Sequence, residues 1–188
     1  YKVKVGVEGD MEMVTALRKH TDAVLRVDAN AGWTLEQALQ KIPLLKELGV
    51  EFVEQPLAKD DWEGMKVLYE KSDLPLIADE ACVAEADVEK CHNHFHGINI
   101  KLTKCSGITP ARRMITRAKE LDMKVMVGCM NESSVGTAAI AQLAPMLDYV
   151  DMDGPLLLAE DIGEGISFEQ GQILFNDLPG LGIHVPTF

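Results

Sequence analysis

The sequence predicts an α/β protein of the (β/α) TIM-type barrel class, and three observations carry that reading. Short β-type runs end in polar residues at nearly even steps, so that Lys4, Asp28, Glu54, Asp79 and Lys101 follow one another at intervals of 24, 26, 25 and 22 residues. Each interval is the length of one strand, one loop, one helix and a return loop. The segments between the runs carry helix-start and helix-stop signals, and each polar residue stands at a strand's C-terminal end, the face on which such barrels carry their chemistry. Seven strands are readable, one short of closure, and an open barrel would leave edges unpaired. The expectation is therefore that a strand N-terminal to Tyr1 is missing from this chain.

Taken in order, Tyr1 to Val5 alternates so that Lys2 and Lys4 point to one side. Asp10 is placed as the cap of a helix through about His20, with Met13, Ala16 and Leu17 as its apolar stripe. Val24 to Val27 is the next strand and delivers Asp28. Thr34 and Gln37 have capping-box spacing, and the helix they open runs to Leu48 before Gly49 stops it. A strand ending at Glu54 precedes Gln55-Pro56, a helix spans about Trp62 to Lys71, and Pro75 to Ala78 leads to Asp79. A shorter helix near Glu85 to Lys90 precedes Ile98 to Ile100, which delivers Lys101. Thr109-Pro110 reads as an N-cap and a first-turn proline opening a helix to about Leu121. Lys124 to Val127 runs into Gly128-Cys129-Met130-Asn131-Glu132, Ser133 or Ser134 caps the following helix, and Tyr149 to Met152 is the last barrel strand. Residues 1–155 thus form the barrel unit of seven βα repeats. Residues 156–188 form an extension, with Ile166 to Phe175 as a hairpin turning at Gly171 and packing back.

Composition bounds the function. A chain of 188 residues with 47% hydrophobic side chains builds a core, while a net charge of −12 disfavours nucleic acid and anionic membrane surfaces. No run approaches the roughly 20 apolar residues of a membrane span, no leader pattern is present, and the four cysteines are scattered, so the chain reads as cytoplasmic with reduced thiols.

Three carboxylates on consecutive strand ends, Asp28, Glu54 and Asp79, would repel one another without a cation. Their all-oxygen character suits Mg²⁺, with Mn²⁺ as a substitute. Lys4 and Lys101 lie four strands apart on an eight-strand circle and would face each other across that metal, an arrangement suited to proton transfer at both faces of one carbon. Lys2, beside Lys4, would lower the neighbouring amine's pKa by its charge. Asp151 and Asp153 alternate onto one rim, where they would bind a second cation or a substrate ammonium. With three carboxylates already serving the metal, the ammonium is favoured. His92, His94 and His96 precede a strand, which puts them at the opposite, structural face. Trp33 and Trp62 read as packing residues.

These segments resemble a known family. KVKVG, RVDANAGW, FVEQPL, IADEAC, INIKLTKCSGI, VGCMNESS and DMDGPLLLAED together are similar to the barrel domain of the enolase superfamily, muconate-lactonising subgroup, from its second strand onward. The resemblance implies Mg²⁺ held by Asp28, Glu54 and Asp79 with Asn30 close by, Lys4 and Lys101 as acid/base catalysts, and Lys2 tuning Lys4 and contacting the substrate carboxylate. It further implies a dipeptide epimerase of the L-Ala-D/L-Glu type, acting through an enediolate at the C-terminal residue. Asp151 and Asp153 would then receive the α-ammonium, and the backbone at Cys129 and Met130 would line the substrate. Glu80 and Glu132 are candidates for orienting these groups by hydrogen bonds. An N-terminal α+β capping domain and a homo-oligomer are implied as well. The alternatives left open are o-succinylbenzoate synthesis, N-succinylamino acid racemisation or muconate cycloisomerisation on the same scaffold, or an inactive metal-binding fragment.

Overall fold

In the computed structural model, which describes residues 1–186, seven parallel strands hydrogen-bond in the order in which they occur along the chain. They are β1 (Lys2–Lys4), β2 (Leu25–Asp28), β3 (Val50–Glu54), β4 (Leu76–Ala78), β5 (Gly97–Ile100), β6 (Lys124–Val127) and β7 (Tyr149–Val150). Parallel neighbours require a crossover, and helices supply it: α1 (Asp10–Arg18), α2 (Leu35–Glu47), α3 (Trp62–Lys71), α4 (Asp87–Cys91), α5 (Leu102–Cys105), α6 (Ile108–Glu120) and α7 (Ser134–Ala141). The sheet curls strongly. Although β1 and β7 are not paired, the ammonium of Lys2 reaches Asp151, just past β7, at 2.6 Å. A fixed twist accumulated over seven strands brings the two edges toward each other.

Period-two alternation sorts the side chains into two populations. Leu25, Val27, Val53, Leu76, Ala78, Ile98, Ile100, Val125 and Val127 belong to the main apolar core shared with Val14, Ile42, Leu45, Leu68, Met114 and Ile115 of the helices. Phe52, Ile77 and Met126, with Tyr149 against them, form a second, small cluster inside the curl. Two residues further along these strands come Glu54, Asp79, Gly128 and Asp151. The same register that plugs the lumen with apolar side chains therefore presents the polar layer above it. Arg26 caps the plug from β2, its guanidinium 5.4 Å from the Phe52 ring centre and 4.9 Å from that of Tyr149.

Local chemistry explains most boundaries. Thr34 and Gln37 form the complete capping box expected at the start of α2, and Gly49 follows with φ +70°. Three expectations are corrected. Asp10 is the first residue of α1, behind Gly9 at φ +78°, and it is no cap: its side chain turns inward to accept from the Trp33 indole at 2.8 Å and from Lys41 at 2.7 Å. That inward turn rotates the helix, so Val14 is buried while Met13 and Leu17 stay exposed. The helix expected behind Thr109-Pro110 begins at Ile108, and a separate single turn, α5, precedes it, with Ser106 and Gly107 at positive φ making the break. Asp87 rather than Glu85 opens α4.

The loops after β1 and β2 are in unusually close contact. A Cβ on Gly6 would lie 2.3 Å from the Ala29 carbonyl, and one on Gly32 would lie 2.6 Å from the Gly6 carbonyl. After β7, β8 (Ser167–Glu169) and β9 (Gln172–Leu174) make an antiparallel hairpin whose Gly171 has φ +78°, and Phe168 and Ile173 pack against the main core. Asp161 accepts from the Ser134 backbone and hydroxyl, tying this extension to the start of α7. Thr187 and Phe188, the end of the expected extension, lie outside the described residues.

Candidate active site

The register of the sheet assembles the site. Lys4 pairs with Asp28 across β1 and β2, and Asp28 with Glu54 across β2 and β3, so three polar residues stand in one row. Asp79 follows β4 directly and Lys101 follows β5. Lys2, Lys4, Asp79, Lys101, Asp151 and Asp153 all line one open cavity of about 610 Å³, which Asn30, Glu80, Cys129, Met130 and Asn131 also border. The cavity sits at the C-terminal end of the parallel strands, where sites of this architecture belong.

Asp28, Glu54 and Asp79 are essentially inaccessible to solvent, and each is met by lysine. Lys4 donates to Asp28 Oδ2 at 2.5 Å, Lys101 to Asp79 Oδ2 at 2.7 Å, and Lys104 to Asp79 Oδ1 at 2.8 Å. The ammonium of Lys2 bridges Glu54 at 3.2 Å, Asp28 at 3.7 Å and Asp151 at 2.6 Å. Burial opposes the charge on Lys2, but Glu54, Asp151 and Asp28 outweigh it and hold its pKa above the ordinary lysine value. Burial likewise opposes charge on Lys101, and Asp79 more than offsets this, so its pKa is raised. For Asp79 burial is again overcome, by the hydrogen bonds from Lys101 and Lys104, and its carboxyl titrates below the usual range. Glu54 is the exception: burial, reinforced by the charges of Asp28 and Asp79, pushes it up to about 7 despite Lys2 and Asn99.

That imbalance is what a bound divalent cation would relieve, and three buried carboxylates form the hard, all-oxygen donor set that suits Mg²⁺. The donor chemistry of Asp28, Glu54 and Asp79 therefore fits the metal. Among the described residues, however, the only acidic or thiol group of three whose ligand atoms all lie within 4.8 Å of one another is Cys129, Asp151 and Asp153. Lysine ammonium groups occupy the spaces beside the other three carboxylates.

The remaining expected residues divide. Asn30, at φ +44°, donates its backbone N–H to Asp28 Oδ1 at 2.9 Å and its side chain to Glu80 at 3.4 Å. The second oxygen of Glu80 is buried without a partner among the described residues. Cys129 Sγ lies 3.9 Å from Asp153 Oδ1, and Met130 is half-exposed at the cavity wall. Glu132 does not border the cavity, and neither of its buried carboxylate oxygens finds a hydrogen bond among the described residues, so the orienting contact expected of it is not present. His96 accepts from the Leu76 backbone N–H at the start of β4, and His94 Nδ1 sits beside the His92 carbonyl, at the other end of the barrel from the cavity.

Three residues that support the site escaped the sequence reading. Gln55, fully buried at φ +34°, accepts from the backbone N–H groups of Asp79 and Ala81 at 3.0 and 3.1 Å, which ties the end of β3 to the loop carrying Asp79. Asn99 donates to Glu54 Oε1 at 2.7 Å. Lys104 reaches Asp79 because α5 places it one helical turn beyond Lys101. Period two was a usable signal for Asn99, and i, i+3 spacing for Lys104. Nothing local announces the positive φ of Gln55.

Comparison with known proteins agrees with this geometry. Residues 1–187 match the family model described as enolase C-terminal domain-like. The chain is 56% identical over 183 residues to the L-Ala-D/L-amino acid epimerase of Flavobacterium johnsoniae, covering 97% of this chain and 54% of that protein. A substrate-liganded complex of the L-Ala-D/L-Glu epimerase from Bacillus subtilis superposes with a TM-score of 0.94 at 33% identity, over 100% of this chain and 56% of the other. A dipeptide epimerase from Cytophaga hutchinsonii complexed with Mg and the dipeptide D-Ala-L-Val superposes with a TM-score of 0.92 at 32% identity, over 98% and 53%. The chain spans about half the length of the curated relatives it matches. No helix among the described residues is long and apolar enough to cross a membrane. With a family model matched along nearly its whole length, the chain belongs to the enolase C-terminal domain-like family.

Proposed function

We propose that the intact protein is a Mg²⁺-dependent dipeptide epimerase of the L-Ala-D/L-Glu type, which inverts the α-carbon of the C-terminal residue by two-base proton transfer. The observation that carries this reading is a single cavity bordered by lysines from β1 and from the end of β5, with two aspartates on the rim past β7. Asp28, Glu54 and Asp79 would hold Mg²⁺, or Mn²⁺ in its place. The bound ion would supply positive charge beside the substrate carboxylate, making the α-proton acidic enough for a lysine to remove.

The chain's own residues do the rest. One of Lys4 and Lys101, as the free amine, takes the α-proton onto its Nζ, so that a C–H bond breaks and an N–H bond forms. The other, as the ammonium, returns a proton to the opposite face, and the reverse reaction exchanges the roles. Lys101 must leave its ion pair with Asp79 to act as the base, and Lys104 remains to compensate that carboxylate. Lys2 would contact the substrate carboxylate, and Asp151 and Asp153 would accept the α-ammonium. The backbone at Cys129 and Met130 would line the dipeptide. Residues 1–155 act as the barrel unit in this reading, and 156–188 as an extension packed on it. The rim aspartates favour a free ammonium over an N-succinyl group, which carries no positive charge to pair with them.

Proton NMR of the intact protein with Mg²⁺ and L-Ala-containing dipeptides in deuterated water tests the proposal. Washout of the C-terminal α-proton with growth of the other diastereomer is expected. Absence of washout on every dipeptide, with metal shown to be bound, would move the assignment to N-succinyl or cycloisomerase substrates.

A further inference from the structure

We propose that Asn99 is a positioning residue for the Glu54 carboxylate, and that position 128 is glycine because a side chain there would dislodge the Asn99 amide. The inference rests on the reading of Glu54 as a metal ligand. Asn99 and Lys101 are two residues apart at the end of β5 and share one side of it, while Ile98 and Ile100 face the main core. The Asn99 amide is wholly buried, and its Nδ2 donates to Glu54 Oε1 at 2.7 Å. Glu54 Oε2 is left toward Lys2, on the cavity side, at 3.2 Å.

Two features separate this contact from ordinary packing. The Asn99 carbonyl oxygen is buried without a hydrogen-bond partner among the described residues, so the amide carries a desolvation cost that an apolar residue of the same shape would not. The amide cannot turn over to relieve that oxygen, because turning would set a carbonyl against the carboxylate. The second feature is Gly128, immediately after β6, whose backbone N–H donates to the Ile100 carbonyl at 3.0 Å. Its φ lies outside the left-handed region, so the backbone does not demand glycine there. Space does: a Cβ would lie 2.8 Å from both Nδ2 and Oδ1 of Asn99. The two positions form one device, an amide that fixes the plane of Glu54 and a gap that lets the amide fit.

The test is Mn²⁺ binding to the intact protein, followed by electron paramagnetic resonance, beside thermal melts without metal. Asn99→Leu is expected to weaken Mn²⁺ binding by about 10- to 100-fold, the scale found when groups supporting a metal ligand are removed, and also to lower the metal-free melting temperature, because it leaves the buried Glu54 Oε1 without its donor. Gly128→Ala keeps the donor and moves it, and a smaller loss of affinity is expected. At saturating metal both variants should recover most of their turnover, which a general structural defect would not allow. Affinity within twofold of the parent in both variants overturns the proposal, as does turnover that stays low in both at saturating metal. If Asn99→Leu does not fold, Gly128→Ala decides alone. A parent protein that binds Mn²⁺ yet is inert on every dipeptide overturns the epimerase reading and leaves Asn99 in its role, whereas a parent that binds no Mn²⁺ overturns both.

Discussion

Over β2 to β4 the rim carboxylates Asp28, Glu54 and Asp79 are at most 1% exposed and each is met by a lysine, whereas past β7 Asp151, which shares Lys2 at 2.6 Å, is partly open, and Asp153 is exposed beside the Cys129 thiol and Asp151. The two halves differ in what their charges can afford to lose. A buried carboxylate stripped of its cation faces a desolvation penalty of several kcal/mol, so the first half must hold positive charge at all times, from lysine or from metal. The exposed Asp153 can return to water between partners at little cost. Permanent charge on one side and exchangeable charge on the other is the division expected of a site that keeps an ion and releases a substrate.

The largest effect should come from the first half. Lys101→Ala is expected to reduce epimerisation by about 10³-fold, within the range of general acid–base catalysis. Exchange of the α-proton in deuterated water should survive for one epimer and vanish for the other, as followed by NMR. Loss with both epimers would break the two-base scheme and, with it, the functional contrast between the halves.

The second half should respond through binding. Asp151→Asn and Asp153→Asn are each expected to lower kcat/KM on dipeptides by about 10- to 100-fold, the scale of a charged hydrogen bond, mainly through KM. Mn²⁺ affinity should stay near that of the parent. A large loss of metal affinity would erase the distinction between the halves, and unchanged dipeptide turnover would remove the assigned ammonium site.

Asp10 sharpens the comparison from outside the cavity, since it is equally buried but satisfied by protein donors alone. Burial raises its pKa, and the hydrogen bonds from Lys41, Trp33 and Gly6 override that, leaving it below the usual aspartate value of 3.8. A depressed folded-state pKa stabilises the fold above the unfolded value and loses that contribution as pH falls through the folded one. Asp10→Asn should therefore cost about 1–3 kcal/mol at neutral pH, with the gap from the parent closing as pH falls below about 4. Melting curves across pH measure this, and a gap constant with pH would show that Lys41 and Trp33 do not act on the carboxylate's charge.

The strand ends were legible in the sequence because each depends on a local pattern, period-two alternation and a repeat of nearly constant length. The Thr34 and Gln37 capping box was legible for the same reason: its bonds close within four residues. Asp10 misled because the sequence around it meets every local requirement of a cap, while Trp33 and Lys41, 23 and 31 residues away, draw the side chain inward. Lys104 was not legible because the single helical turn that carries it has no periodicity long enough to register. Gln55 depends on the loop beyond β4, which no window around Pro56 contains. What was missed in the site was consistently the layer that holds its charged groups in place, because that layer is made of contacts between repeats.

Gly6 and Gly32 carry a consequence for how this protein can change. Each is packed so tightly against the other's loop that a methyl group on either would force the loops after β1 and β2 apart. The loop leaving Lys4 and the loop leaving Asp28 therefore shift as one body. Substitution at either glycine should be tolerated only together with a compensating rearrangement of the opposite loop, so the lysine proposed as a base and the aspartate proposed as a metal ligand are tied together through two residues that carry no functional side chain.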